Sequence, residues 1–362
     1  MIEPLRLTDL RAAAPIGPRM ARNLPTLRCP FTALRELITA APRDLLRGRR
    51  TSQSTLLRIE DGISADCAIT QIALYVHYSA TNHISDMVLC QIDLLRESGF
   101  SVVFISMSKI ITEQAWQAAR ERCTLVVQRD NFGLDFGAWR DLLPEIHRRW
   151  AIPDELMLVN DSVLGPIHPL APVIDTMRRG GLGLFGLTES LQGAPHLQSY
   201  MLLARGRSTV EDLMRFFQKL HVTHSKWLLI RRGEIKLSGW MQRRGHRVAA
   251  IFGYDRLVQV AVTDPYERKR LLNASNDFRN SEALSAREAA ALLHKNPVNP
   301  THELWRVLAT RFNGPFLKAE LVIRNPMRLS DIADWPTLVS ADSPCTLPIL
   351  QAHIQTIRMA NN

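Results

Sequence analysis

The stretch "VQRDNFGLDFGAWRDLL", residues 127–143, sets two glycines, three aspartates, an asparagine and two arginines among bulky apolar residues. It begins at the end of a strand-like run, "TLVVQ" (124–128). A plain strand-to-helix connection needs one capping residue and at most a glycine. The surplus points to a ligand. Gly133 and Gly137 permit positive φ and close approach of backbone to a bound group. A helix beginning near Gly137 offers free N–H groups to a phosphate or a hydroxyl-rich molecule. Asn131 and Asp135 can bond a nucleobase or ribose. The glycines are spaced GxxxG, which is neither the dinucleotide fingerprint nor a P-loop. The bland reading of the stretch is an elaborate helix cap.

Outward from this stretch, short apolar strands alternate with helices. Strands are expected at 68–79, 100–107, 124–128 and 155–159, and helices at 85–99 (Ser85 cap, Gly99 stop) and 112–123. The helix carrying "GAWRDLLPEIHRRW" is expected to break near Pro144. "GLGLFGLTE" and "YMLLAR" read as further strands. Capping boxes are expected at Ser208/Glu211 and Ser285/Glu288, and a cap at Asp264 before Pro265. This alternation implies an α/β fold with a largely parallel sheet. Right-handed crossovers then gather the loops after the strands along one edge, where such sheets bind ligands.

The chain has 362 residues and a net charge of +10. Residues 1–60 hold eleven arginines, no lysine and five acids, so that segment carries six of the surplus charges. The rest is nearly balanced, which argues against an extended nucleic-acid groove. Phe31 is the sole aromatic residue of the basic segment, which argues against stacking on bases there. "FTALRELITAAPRDLLRGRR" (31–50) puts Leu34, Leu37, Ile38, Ala41 and Leu45 on one side. It reads either as a helix lying on an anionic membrane or as one packed on the main body. Five cysteines without metal-ligand spacing suit a reduced, cytosolic protein. No apolar run is long enough to span a bilayer, and no signal peptide is expected. The last 30 residues show no clear period and are expected to be loosely held.

Two more polar clusters should face the ligand edge. "LMLVNDSVLGPI" (156–167) ends a strand in Asn160-Asp161-Ser162. Asp161 there could hold a divalent cation on a diphosphate, or form a simple turn. "RRGEIKLSGWMQRRGHRV" (231–248) carries Glu234 before a helix, as a dipole-stabilising residue or as a general base. Between them, "GLTESLQGAPHLQSYML" (186–202) offers Glu189, His196 and Gln198 to sugar hydroxyls.

Taken in order, "RDNFGLDFGAWRDLL", "LVNDSVLGPI", "GLTES", "HLQSYML", "GEIKLS" and "NPVNPTHELWRVL…GPFLKAELVIRNP" (296–326) resemble the rhamnan synthesis F family over about 70–330. These are glycosyltransferase-like proteins of bacterial surface-polysaccharide assembly. The resemblance implies a GT-A-like, Rossmann-type sheet with helical extensions. It divides the chain into a basic N-terminal extension (1–62), a GT-A-like domain (63–265) and a mainly helical C-terminal extension (266–362). It implies a nucleotide-sugar donor, with dTDP-rhamnose the first to test, held by His77, Asn131, Gly133, Asp135, Gly137, Asn160 and Asp161. Glu189, His196 and Gln198 would bind a glycan or lipid-linked glycan acceptor, and Glu234 would be the base. Asp161 stands where an Asp-x-Asp motif holds Mg²⁺ or Mn²⁺, but Asn160 replaces its first acid. Ile235 follows Glu234 where the family pattern has a second acid. The implied protein is a cytoplasmic hexosyltransferase, peripheral to the inner face of the membrane through its N-terminus, with no nucleic-acid partner. The rival reading is a non-catalytic sugar-nucleotide or glycan-binding module of a synthesis complex.

Overall fold

A computed structural model describes residues 2–12, 30–48, 55–63, 69–274 and 284–361. The chain adopts the expected mixed α/β fold, with a large, mostly parallel sheet flanked by helices. The strands are β1 (Thr8–Asp9), β2 (Leu56–Asp61), β3 (Gln71–His77), β4 (Ser101–Ser106), β5 (Leu125–Arg129) and β6 (Glu155–Asn160). They continue with β7 (Val163–Leu164), β8 (Gly183–Ser190), β9 (His196–Leu197), β10 (Met201–Arg205), β11 (Val248–Phe252) and β12 (Leu317–Lys318).

The main sheet runs β1-β11-β8-β10-β6-β3-β4-β5-β2. β3, β4, β5 and β6 are parallel neighbours, while β10 lies antiparallel between β6 and β8. β11 runs parallel to β8. From β3 the chain moves outward through β4 and β5, then crosses back to lay β6 on the other side of β3. The ends of β3 and β6 therefore form a topological switch point, the crevice where open α/β sheets take their ligands.

β3 shows why the sheet is central. Ala73 and Tyr75 enter one apolar layer, while Ile72, Leu74 and Val76 enter the other. With both faces covered, its alternation is of side and not of polarity. One layer packs beneath the helices Asp86–Glu97, Ala171–Arg179 and Tyr254–Thr263, and the other beneath Leu134–Trp150, Arg207–Lys219 and Ile235–Arg243.

Local signals fixed most boundaries. Ser85 and Thr112 cap their helices, Asp264 accepts from Tyr266 and Glu267 N–H, and Ser285 with Glu288 forms the full capping box. Three expectations fail. The helix Leu134–Trp150 runs through Pro144, because Leu142, Leu143 and Ile146 are buried on its inner side while the proline faces solvent. The helix Arg207–Lys219 starts one residue before Ser208 and has no side-chain cap, Gly206 at φ 93° opening it instead. The last 30 residues are packed: Trp335, Cys345, Leu350 and Ile354 are buried, and the helix Leu347–Asn361 lies against Asp86–Glu97. Segments on both sides of the 63–265 boundaries also join the body. β1 pairs with β11, β2 with β5, and residues from Ala289 to Ile354 enter the same apolar layer as β3.

Candidate functional site

At the switch point the backbone N–H of Asp161 bonds the carbonyl of Val76 at 3.1 Å, and the Asp161 carboxylate accepts from Tyr78 N–H at 2.7 Å. This ties the two strand ends together and turns Asp161 into a cavity of about 600 Å³. That volume suits a small ligand. Asp135, Asn160, Asp161, His196, Gln198, Ser199 and Glu234 all line it. The three clusters read from the sequence thus meet in one hollow.

Asp135 accepts from Asn160 Nδ2 at 2.7 Å and from Phe136 N–H at 3.0 Å. Asn160 Oδ1 in turn accepts from Ser162 Oγ at 2.5 Å. Burial, followed by the charge of Glu234, lifts the Asp135 carboxyl above its ordinary range. Burial lifts Asp161 to about 7, with the charge of Asp135 adding to it. Two carboxylates facing one hollow, both pushed towards the neutral form, are a set that a cation would relieve. Mg²⁺ and Mn²⁺ accept one or two carboxylates together with phosphate oxygens and water, and Asp135 and Asp161 are the two acids this edge offers to such an ion. Among the described residues there is no cluster of three or more His, Cys, Asp or Glu placed to hold a metal by protein ligands alone.

Glu234 does not open a helix. It ends a π-helical turn, Ile230–Glu234, between the helices Lys226–Leu229 and Ile235–Arg243. Such one-turn bulges re-aim side chains and recur at functional sites. Gly233 makes the turn fit, since a Cβ there would stand 2.6 Å from the Phe136 ring. Glu234 Oε2 accepts from Ser199 N–H at 3.0 Å and Ser199 Oγ at 2.5 Å, and Oε1 lies 3.6 Å from His196 Nε2. The His196 Nδ1 meets the Ala194 carbonyl at 2.7 Å. Burial alone would raise the Glu234 carboxyl. The nearby His196 ring, with the Ser199 bonds, overrides it and holds the group at about 2. Glu234 therefore stays ionised, braced by its neighbours.

Other candidates lie elsewhere. His77 is buried beneath the site, 3.2 Å from Ser106 Oγ, and burial keeps it neutral with a pKa of about 3. Asn131 is exposed and away from the cavity wall. Gly133 and Gly137 serve the chain's own packing: a Cβ would meet Val222 Cβ at 2.8 Å or the Phe132 carbonyl at 2.1 Å. Glu189 accepts from Tyr254 N–H at 2.9 Å and so caps the helix Tyr254–Thr263. Gln198 does reach the wall, but its amide is already bonded to Thr188, Asn299 and Thr301.

The cavity also has members that were not among the candidate site residues, although three of them lie in the motif 296–326. Lys226, Asn299, His302 and Lys318 line it. His302 is kept neutral by burial, at about 4, and its Nδ1 is buried without a hydrogen-bond partner among the described residues. Glu36 of the helix Pro30–Gly48 reaches the rim, accepting from Ser225 Oγ and Trp227 N–H, both at 2.9 Å. "LKAEL" and "PTHEL" carry no spacing that distinguishes Lys318 or His302 from surface residues.

The fold and site place the chain in the class of open α/β proteins with a crevice at the switch point, here lined by braced carboxylates. Within it, residues 102–277 match the family model described as Rhamnan synthesis protein F, the family that the order of motifs resembles. An uncharacterized protein, y4gN, of Sinorhizobium fredii is 30% identical over 196 residues, 52% of this chain and 49% of that protein. Virulence protein VirA of Vibrio anguillarum is 28% identical over 209 residues, 56% of this chain and 64% of VirA. The chain thus spans about half to two thirds of the length of these relatives. Among solved structures, a mannosyltransferase, PcManGT, from Pyrobaculum calidifontis in complex with GDP-Man and Mn²⁺ aligns at 13% identity. It covers 89% of this chain and 97% of that one, with a TM-score of 0.30. The bifunctional glycosyltransferase WbbM aligns at 8% identity over 80% of this chain and 53% of its own, with a TM-score of 0.32. At these scores neither likeness bears on the chemistry.

Proposed function

We propose that the protein is a glycosyltransferase of cell-surface polysaccharide synthesis that uses a nucleotide-sugar donor. The observation that carries this is the meeting of Asp135, Asn160-Asp161, His196 and Glu234 in one cavity at the switch point. The family match supports the pathway. The donor's diphosphate lies at the ends of β3 and β6. Asp161, with Asp135 beside it, would hold Mg²⁺ or Mn²⁺, which supplies charge to stabilise the leaving diphosphate. The acceptor hydroxyl forms a new bond to the anomeric carbon while the bond from that carbon to the diphosphate oxygen breaks. The nucleoside diphosphate leaves with the electron pair, and Glu234 takes the hydroxyl proton. His196 and Ser199 orient that carboxylate.

A carboxylate held at about 2 is a weak base. Diphosphate entering the cavity adds negative charge near Glu234 and lifts it towards the working range. The same acidity favours a second reading, a module that binds a sugar nucleotide or glycan without turning it over. The experiment is a thermal-shift panel of nucleotide sugars, dTDP-rhamnose first, with and without Mn²⁺, followed by assays of donor turnover. A ligand that binds only the folded form raises its apparent stability. Glu234→Gln should shift like wild type but turn over roughly 10²–10⁴-fold more slowly. Equal turnover would remove Glu234 as the base, and binding without any turnover would favour the module. A rhamnosyl donor, a lipid-linked acceptor and a peripheral seat at the membrane remain parts of this proposal, the last supported by the exposed apolar face of the helix Pro30–Gly48.

A further inference from the structure

We propose that Lys318 is the fixed cation that receives the donor's diphosphate, an inference that rests on the nucleotide-sugar reading of the cavity. Lys318 arrives from far along the chain, outside the matched segment 102–277. Its position is nonetheless set by backbone. β12 pairs antiparallel with β7, with Lys318 opposite Val163 and Leu317 opposite Leu164. On either side of that pairing, Ala319 N–H bonds the Ser162 carbonyl at 3.1 Å and Ile167 N–H bonds the Pro315 carbonyl at 2.7 Å. Gly165 lets the strands close, since a Cβ there would sit 2.5 Å from the Pro315 oxygen and its φ is +139°. The short ladder begins directly after Asn160-Asp161-Ser162, so Lys318 stands at the same turn as Asp161.

Its side chain carries a ligand's signature. Nζ donates to Ser162 Oγ at 2.7 Å and lies 5.4 Å from the centre of the Tyr200 ring. An ammonium has three donors. Among the described residues Lys318 makes one side-chain hydrogen bond and no ion pair. Lys318 is half-buried, and a structural lysine so placed normally pairs with a carboxylate or reaches water. Burial pushes the Lys318 ammonium below its ordinary range, and Glu234 and Asp135, facing it across the cavity without contact, oppose that shift. The spare donors face a hollow whose neighbouring acids would repel a diphosphate, and Lys is a common point-charge partner of phosphate. Ser162 holds the ammonium in place before the ligand arrives.

The test uses the full chain and isothermal titration with UDP, GDP and dTDP, each beside its uncharged nucleoside, in EDTA and again with Mn²⁺. Wild type should bind one diphosphate in both conditions. Lys318→Met should weaken that diphosphate by roughly 10–100-fold, as expected for losing a charged hydrogen-bond partner, while its nucleoside binds as before. Lys318→Arg should keep most of the affinity. Lys318→Gln, which retains polarity, serves as the neutral variant should the methionine protein not fold. A neutral variant that binds the diphosphate as tightly as wild type overturns the role of Lys318 and leaves the donor-site reading intact. Wild type that binds no nucleotide at all overturns both.

Discussion

The cavity has two walls of different origin. One comes from the turns after β5 and β6, and its acids are tied to nearby backbone: Asp135 to Phe136 N–H, Asp161 to Tyr78 N–H. The other is brought in from residues 226–234 and 299–320, and it supplies both lysines of the lining, Lys226 and Lys318. Among the described residues, the first wall alone offers carboxyl groups and no cation. Only when the second packs against it does the site gain the opposite charge. Ligand chemistry here depends on tertiary assembly as much as on the strand edge.

If the second wall is integral to one core, damage to it should act on the whole. Trp305 and Trp139 are fully buried, one in the C-terminal region and one beside the first wall. Trp305→Ala should cost about 3–5 kcal/mol, as should Trp139→Ala, because each leaves a large cavity. Denaturant unfolding of either variant should show one transition. Two transitions for Trp305→Ala, with the sheet melting later, would make residues 266–362 a separate unit and break the comparison.

Gln198 stitches the main sheet, at β8, to the second wall. Its oxygen accepts from Thr188 at 2.8 Å and its nitrogen donates to Asn299 at 3.1 Å. Gln198→Ala should cost about 1–3 kcal/mol, through buried partners left unpaired. A loss below half a kcal/mol would mean that water or a neighbour replaces the amide and that apolar packing alone holds the second wall to the sheet.

Acid should loosen both walls. His77 lies under the first at about 3, and His302 lines the second at about 4, both kept neutral by burial. A depressed folded pKa means that the unfolded chain takes up protons first. The stability is therefore full above the ordinary histidine value of 6.5 and falls with pH towards 4 and then 3. His77→Gln should flatten the melting temperature against pH below 6.5 more than His302→Gln does. The same slope in both variants and wild type would show that other groups govern acid unfolding.

Much of this was legible locally. Ser85, Asp264 and Ser285 announced their helices through side-chain bonds within four residues, and the strand ends at 129 and 160 carried the loop chemistry that a sheet edge requires. What was not legible depended on distant packing. Gly133 and Gly137 looked like ligand glycines because close approach to Val222 and Phe132 demands the same residue type. Glu189 looked like a sugar-binding acid because a helix it caps begins sixty-five residues later. Lys318 lies in the motif 296–326, but nothing in that motif singled it out, since its place follows from a two-residue ladder with β7.

The smallest effect on stability is expected at the N-terminal helix, which the sequence left open between packing and membrane. Both faces are engaged differently. Asp44 accepts from His224 N–H at 2.9 Å and Ala40 is buried, fixing one side to the rim of the cavity. Leu34, Ile38 and Leu45 point outward, 54%, 62% and 64% exposed, beside the exposed Arg35 and Arg43. No described helix is long and apolar enough to cross a membrane, but an apolar stripe flanked by arginines suits an anionic surface. Ile38→Glu should change unfolding by less than about 0.5 kcal/mol, as exposed substitutions usually do. It should nevertheless reduce co-sedimentation with phosphatidylglycerol vesicles and leave nucleotide binding unchanged. Wild type that ignores such vesicles at low salt would confine this helix to bracing the second wall, and the site would then depend on its inner face alone.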